Sequence, residues 1–212
     1  MKPALRVILL LLAGLLLGAS LMCLPLMTGA LPQGMYPAPP GIPQDETVNP
    51  LECALRVAVC IQGDDFAQLS AWVHPEKGVM FTPYSTVDPE RDLTFTAADV
   101  AGFAFDKRFY LWGLTDAEGA PIQMTALDYI HRYVGGRDYT HAPMASVGNV
   151  LKTGNSVENV AEAFPGCVFV ELHIPQVDPK LEGLDWSSLK VVFEEYQGRL
   201  KVVALIHSEW TI

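Results

Sequence analysis

Two segments near the C-terminus place acids and imidazoles on alternating positions. In 168–174, Val168, Val170, Leu172 and Ile174 alternate with Phe169, Glu171 and His173. In 200–210, Leu200, Val202, Ala204 and Ile206 alternate with Lys201, Val203, Leu205, His207 and Glu209. Successive side chains of an extended strand point to opposite faces, so each segment puts one Glu and one His on a common face. If the two strands are neighbours, Glu171, His173, His207 and Glu209 converge on the concave side of a sheet. Such a set can hold a metal ion or carry general acid–base chemistry, because imidazole titrates near neutrality and a carboxylate can orient it. The competing readings are a solvated sheet face and a satisfied core histidine. The chain has no glycine-rich phosphate loop, no G-x-S-x-G elbow and no H-E-x-x-H pair. No residue is therefore assigned a catalytic role, and neither a metal nor a cofactor is expected.

Other chemistry-bearing residues read as structural. Trp112 and Trp186 are candidate pocket walls, since aromatic rings lining a cavity suit an apolar or sugar ligand. Trp210 is expected to close the last strand. His74 precedes Pro75 at a helix end, where an imidazole can stabilise the terminal carbonyls. His131 sits on a helix between Tyr129 and Tyr133, and His141 lies in a loop. Asp88, Glu90 and Asp92 alternate without the glycine or closing glutamate of an EF-hand, and read as a solvated acidic loop.

The elements that must position these residues follow from periodicity and caps. Asn49, Pro50 and Glu52 open a helix whose apolar face holds Leu51, Ala54, Leu55, Ala58 and Val59, and Gly63 ends it. A second helix buries Phe66, Leu69, Trp72 and Val73. A strand over 79–84, a short helix behind Thr96 and Asp99, and a hairpin over 109–124 come next. A helix over 126–134 ends at Gly135-Gly136, 137–146 reads as a loop, and a short helix covers 157–164. Three strands close the chain at 168–174, 189–196 and 200–210, the last two joined through Gln197-Gly198-Arg199. Helices first and strands last define an α+β fold, with N-terminal helices packed on a curved antiparallel sheet.

The N-terminal residues set the compartment. Lys2 and Arg6 precede an uncharged stretch from Val7 to Met27, long enough to span a bilayer. Pro25 and the small residues Thr28-Gly29-Ala30 favour a cleaved signal peptide over residues 1–30, with a retained anchor second and lipidation at Cys23 third. Residues 31–50 carry Pro32, Pro37, Pro39, Pro40, Pro43 and Pro50 and form a stiff linker before one domain, 51–212. The expected location is extracytoplasmic, secreted or membrane-anchored, with membrane contact only through the N-terminal segment. Cys53 and Cys60, about 10 Å apart along a helix, cannot bridge each other. Either can pair with Cys167, or all three are small buried hydrophobes. Of the 212 residues 14 are Lys or Arg and 24 Asp or Glu, a net charge of −10. Phosphate binding needs a basic footprint, so a nucleic-acid partner is excluded.

The runs His74-Pro75-Glu76-Lys77-Gly78-Val79 with Phe81 and Pro83-Tyr84, Gly183-Leu184-Asp185-Trp186 with Leu189 and Val192-Phe193-Glu194, and Ile206-His207 with Trp210-Thr211-Ile212 resemble an uncharacterised family of bacterial exported domains. Its members often follow signal or lipoprotein peptides, and the resemblance brings no activity and no catalytic residue. The element order also resembles the NTF2-like or cystatin-like cone. The leading expectation is a non-enzymatic module for a small molecule or an envelope component. The alternative is a metal-dependent or acid–base hydrolase using the Glu/His set, and a filled cone would instead mark a structural spacer.

Overall fold

The computed structural model describes residues 49–116 and 118–211. The expected signal or anchor segment and almost all of the Pro-rich linker lie outside the described residues. Among the described residues no helix is long and apolar enough to cross a membrane.

Helix α1 (Pro50–Gln62) starts where Leu51 N–H donates to the Asn49 side chain at 3.0 Å, and Gly63 caps its end. Its buried stripe is Cys53, Ala54, Val57, Ala58, Cys60 and Ile61, rotated from the expected face, while Val59 is exposed. Helix α2 (Phe66–Trp72) is capped by Asp65 and buries Phe66 and Leu69. Strands β1 (Val79–Thr82) and β2 (Leu93–Phe95) form an antiparallel pair. A capping box between Thr96 and Asp99 then starts α3 (Ala97–Ala101). Strands β3 (Tyr110–Leu114) and β4 (Pro121–Met124) make a separate hairpin. Helix α4 (Ala126–Tyr129), capped by Thr125, continues as a π-turn over Ile130–Val134.

The segment expected to be a loop contains a 3₁₀ turn (Tyr139–His141) and β5 (Met144–Val147). Its short, mostly exposed strand lacks the apolar alternation that would mark it. After α5 (Val160–Ala163) come β6 (Val168–Ile174), β7 (Ser187–Tyr196) and β8 (Arg199–Glu209). The β7–β8 turn puts Gln197 at φ 52° and Gly198 at φ 76°, the positive angles that a two-residue type I′ hairpin demands.

The main sheet runs β2-β1-β8-β7-β6-β5. It is mixed rather than antiparallel throughout, because β1 pairs parallel with β8, with Phe81 opposite Leu205. A parallel pair needs a long connection, and almost the whole domain lies between these two strands. One face meets the helices. There Val170 and Leu172 of β6, Leu189, Val191 and Phe193 of β7, and Val202 and Leu205 of β8 join Phe81, Phe95, Phe103, Trp112 and Tyr129 in the main core. On the opposite face Phe169, Val192, Val203, Ala204 and Ile206 pack with Val87 and with Val160 of α5.

The cysteines Cys53, Cys60 and Cys167 are free, the first two under α1 and the third beside the second core, so no bridge joins them. Trp210 is 41 % exposed and closes nothing. The C-terminus is tied instead by Thr211, whose hydroxyl lies 2.7 Å from Asp116 Oδ2 and 2.6 Å from Asn155 Oδ1.

Trp112 is fully buried, stacked on Tyr129 at 3.8 Å with its indole N–H donating to Met124 O at 3.0 Å. Trp112→Ala is expected to lower stability by about 3–5 kcal/mol. Urea denaturation measures it, and a loss below about 1 kcal/mol would show that the β3–β4 hairpin packs only loosely on the sheet.

Candidate functional site

The pairing registers separate the four residues expected to converge. Glu171 lies opposite Lys190 and His173 opposite Ser188, whereas His207 lies opposite Leu189 and Glu209 opposite Ser187. Directly paired side chains share a face. Lys190 and Leu189 are adjacent on β7 and therefore point apart. Glu171 and His173 sit on the outer face, and His207 and Glu209 on the helix side. The alternation within each strand is as expected, but the two strands are separated by β7 and contribute opposite sets. Nor do three of the four lie on a solvated face, since Glu171 is 0 %, His173 4 % and His207 2 % exposed, while Glu209 is half-buried.

On the outer face, Ser188 donates its hydroxyl to Glu171 Oε1 at 2.6 Å, and His173 Nδ1 donates to Ser188 Oγ at 2.8 Å. The second Glu171 oxygen accepts Leu151 N–H at 2.8 Å. Trp186, buried beside them, places its ring 5.8 Å from His173. Burial lowers the His173 pKa below its ordinary value. In the same layer Lys190, fully buried, donates to Ser208 Oγ at 2.7 Å and pairs with Glu158 at 2.8 Å, while Ser85 donates to Ser208 at 3.0 Å.

On the helix side, His207 Nδ1–H donates to Pro83 O at 2.9 Å. That fixes the tautomer and leaves Nε2 to accept the Ser187 hydroxyl at 3.2 Å, with Tyr139 donating in turn to Ser187. Tyr133 sets its ring edgewise on His207 at 5.5 Å. The π-turn also carries Arg132, which bonds Glu209 at 2.9 Å and lies over the Tyr133 ring at 4.7 Å. Burial pushes the His207 pKa down and the Tyr139 pKa up, so both are neutral near pH 7.

A serine hydroxyl on an imidazole nitrogen has the outline of a nucleophile–base pair. Here Ser187 is 3 % exposed and its oxygen is already held by Tyr139, so no face of it meets solvent. Both imidazoles take their hydrogen bonds from groups inside the fold, while the buried Trp186 indole N–H on the outer face has no hydrogen-bond partner. Among the described residues no group of three or more His, Cys, Asp or Glu is placed to hold a metal ion.

The remaining candidates are structural. Trp112 belongs to the main core rather than a pocket wall. His74 Nδ1 accepts the N–H groups of Glu76 and Lys77, and so caps the turn after it rather than the helix before it. His131 pairs with Asp64 and His141 with Asp138 at the surface. Asp92 is half-buried and accepts from Thr82 and from Asp88 N–H, tying down the acidic loop. Lys190, Ser188, Ser208, Glu158 and Tyr139 escape a reading by motif. Lys190 sits inside the run Leu189–Phe193, and the one available signal is that a lysine interrupts an apolar stretch.

A groove of about 350 Å³ opens on the outer face beside the C-terminal end of α5. Met80, Val203, Phe164 and Cys167 supply apolar lining, and a Lys77–Glu194 ion pair of 2.6 Å stands at its side. Burial raises the Cys167 pKa, which keeps it a thiol rather than a nucleophile.

No protein-family model matches this chain. No curated protein matches it in sequence. Solved structures similar to it include Aln2 from a Streptomyces species, at 12 % identity over 75 % of this chain and 86 % of that one, with a TM-score of 0.32. Another is a putative calcium/calmodulin-dependent protein kinase II association domain from Xanthomonas campestris, at 8 % identity over 82 % of this chain and 95 % of that one, with a TM-score of 0.32.

A buried neutral imidazole makes stability depend on pH. Below the ordinary histidine value of 6.5 the unfolded chain takes up a proton that folded His207 does not, so stability is present above that pH and falls as pH drops through it. As pH drops below 6.5, His207 is expected to contribute a progressive loss of stability. His207→Asn, which keeps a donor for Pro83 O, should have a correspondingly shallower acid limb in urea titrations, whatever its absolute stability. Parallel limbs would mean that folded His207 takes up a proton as readily as the unfolded chain does.

Proposed function

We propose that this chain is an extracytoplasmic binding domain of NTF2-like or cystatin-like architecture, taking a compact, mostly apolar ligand in the groove between α5 and the sheet. The observation that carries this reading is the contrast between the groove and the polar networks. The groove leaves apolar surface of Met80 and Phe164 open to a ligand above the buried Val203, whereas the buried imidazoles have their partners inside the fold. Ligand sites are typically concave and apolar with a few polar groups that fix orientation, and here Lys77 and Glu194 supply them. The cone architecture is supported by helices packed on one face of the sheet. Its interior is filled by Trp112, Tyr129, Phe81, Phe95 and Phe103, which moves the candidate site to the outer face. The filled interior also favours a second reading, a structural spacer. Export rests on Lys2, Arg6 and the uncharged run after them.

Native mass spectrometry of the chain purified from its host tests the binding reading. A copurified small molecule is expected, with occupancy falling at least tenfold in Phe164→Arg while the circular dichroism spectrum is kept. A wild-type chain of bare mass would favour the spacer. For export, the mature N-terminus is expected at Leu31 in the soluble exported fraction, and an intact Met1 in membranes would mean a retained anchor.

A further inference from the structure

The Lys190 network ends on a residue from outside the sheet. Residues 150–159 form an irregular strap over the outer face, leading into α5. The strap is pinned by Thr86 on Val157 O, by Asn159 on both backbone groups of Val87, and by Leu151 N–H on Glu171. Its Glu158 side chain, 12 % exposed, reaches down to Lys190 Nζ at 2.8 Å, while its other oxygen accepts Val160 N–H at 3.2 Å. Around Lys190 the sheet supplies Ser208 and, through it, Ser85. A fully buried ammonium with a hydroxyl beside it needs an anion at one further position, because an unpaired buried charge is strongly unfavourable. Glu158 is the anion that fills it. The sheet holds the cation rigidly, and the anion arrives on a segment without regular structure.

We infer that Lys190, held in place by Ser208 and through it by Ser85, forms a carboxylate-binding cradle which the chain's own Glu158 occupies. The ligand class it takes is a small carboxylate, and the strap is its covalently attached occupant. The cradle lies at the N-terminal side of α5 and the groove at its C-terminal side, so this inference is independent of the ligand proposed for the groove.

Chemical rescue tests it with formate as the probe. Glu158→Ala removes the carboxylate and leaves room for a small one. The melting temperature of E158A in chloride is expected to fall by about 10 °C. Sodium formate at equal ionic strength should restore at least half of that loss. Glu158→Gln fills the same space without charge and should gain nothing from formate over chloride, and Lys190→Met in the E158A background should abolish the response. If E158A does not fold in chloride, folding on addition of formate is the readout. Equal behaviour of E158A in formate and chloride, or equal gains in all three variants, would overturn the cradle.

Discussion

Ser187 to Phe193 of β7 is buried on both faces, and each alternate side chain must therefore find its partners on its own side of the sheet. An antiparallel sheet commonly packs one face and wets the other, which lets polar residues point outward without further provision. β7 has no such outlet. Leu189, Val191 and Phe193 turn toward the helices, and Ser188, Lys190 and Val192 toward α5 and the strap. The second set contains a lysine, whose desolvation outweighs the burial of several methylenes unless an anion accompanies it. The strap is the answer to that requirement, because it carries Glu158 to Lys190.

The helix side is closed by different means. Aromatic rings supply most of the contact, with Phe81 edgewise to Phe95, Trp112 and Tyr129, and Trp112 stacked on Tyr129. Such contacts add directionality to area burial, and they lock the β3–β4 hairpin and α4 onto β1. Toward the end of the sheet the packing turns polar, and the π-turn makes the change. A π-turn holds an extra residue against a regular helix. The segment delivers Tyr133 to His207 and Arg132 to Glu209 where the α4 helix ends. The polar cluster there closes the core where β7 begins and β8 ends.

Period and punctuation were legible in the sequence, and partners were not. The caps at Asn49, Thr96 and Thr125, the extent of β6 and the β7–β8 hairpin all follow from local residue chemistry, which acts over a few positions. β2 and β5 were invisible because a three-residue strand and a mostly exposed four-residue one show no apolar alternation. The α+β class was legible, but the parallel β1–β8 pairing was not, since nothing local to Val79–Thr82 marks its neighbour. The Glu/His set shows the limit most clearly. Alternation assigns each pair to a common face of its own strand, whereas convergence depends on the strand between them. With β7 interposed, adjacent positions Leu189 and Lys190 receive the two sets on opposite sides. Burial of polar residues was equally hidden, because an alternating polar position looks the same whether water or a strap covers it.

The outer layer divides into two halves with different relations to solvent. On the N-terminal side of α5 the sheet presents Glu171, His173, Ser188, Lys190 and Ser208, and every one is covered. On its C-terminal side the sheet presents Met80 and Val203, and there the cover stops short and leaves the groove. A layer built only to exclude water would place its cover over the apolar half, where burial stabilises by about 25 cal/mol per Å², and leave the polar half wet. Here α5 covers the apolar Phe169, Val192, Ala204 and Ile206, and the strap closes the polar half as well. The polar half has to be closed once Lys190 and Glu171 stand on a strand whose other face is core, because they lie at the centre of the sheet rather than at an edge. The apolar half lies toward the short edge strand β2, where a recess can remain without breaking the core. The groove is thus located by the same pairing order that buries the charges: covering the centre of the sheet uses up the strap and α5, and the chain re-enters the sheet at β6 before its edge is reached.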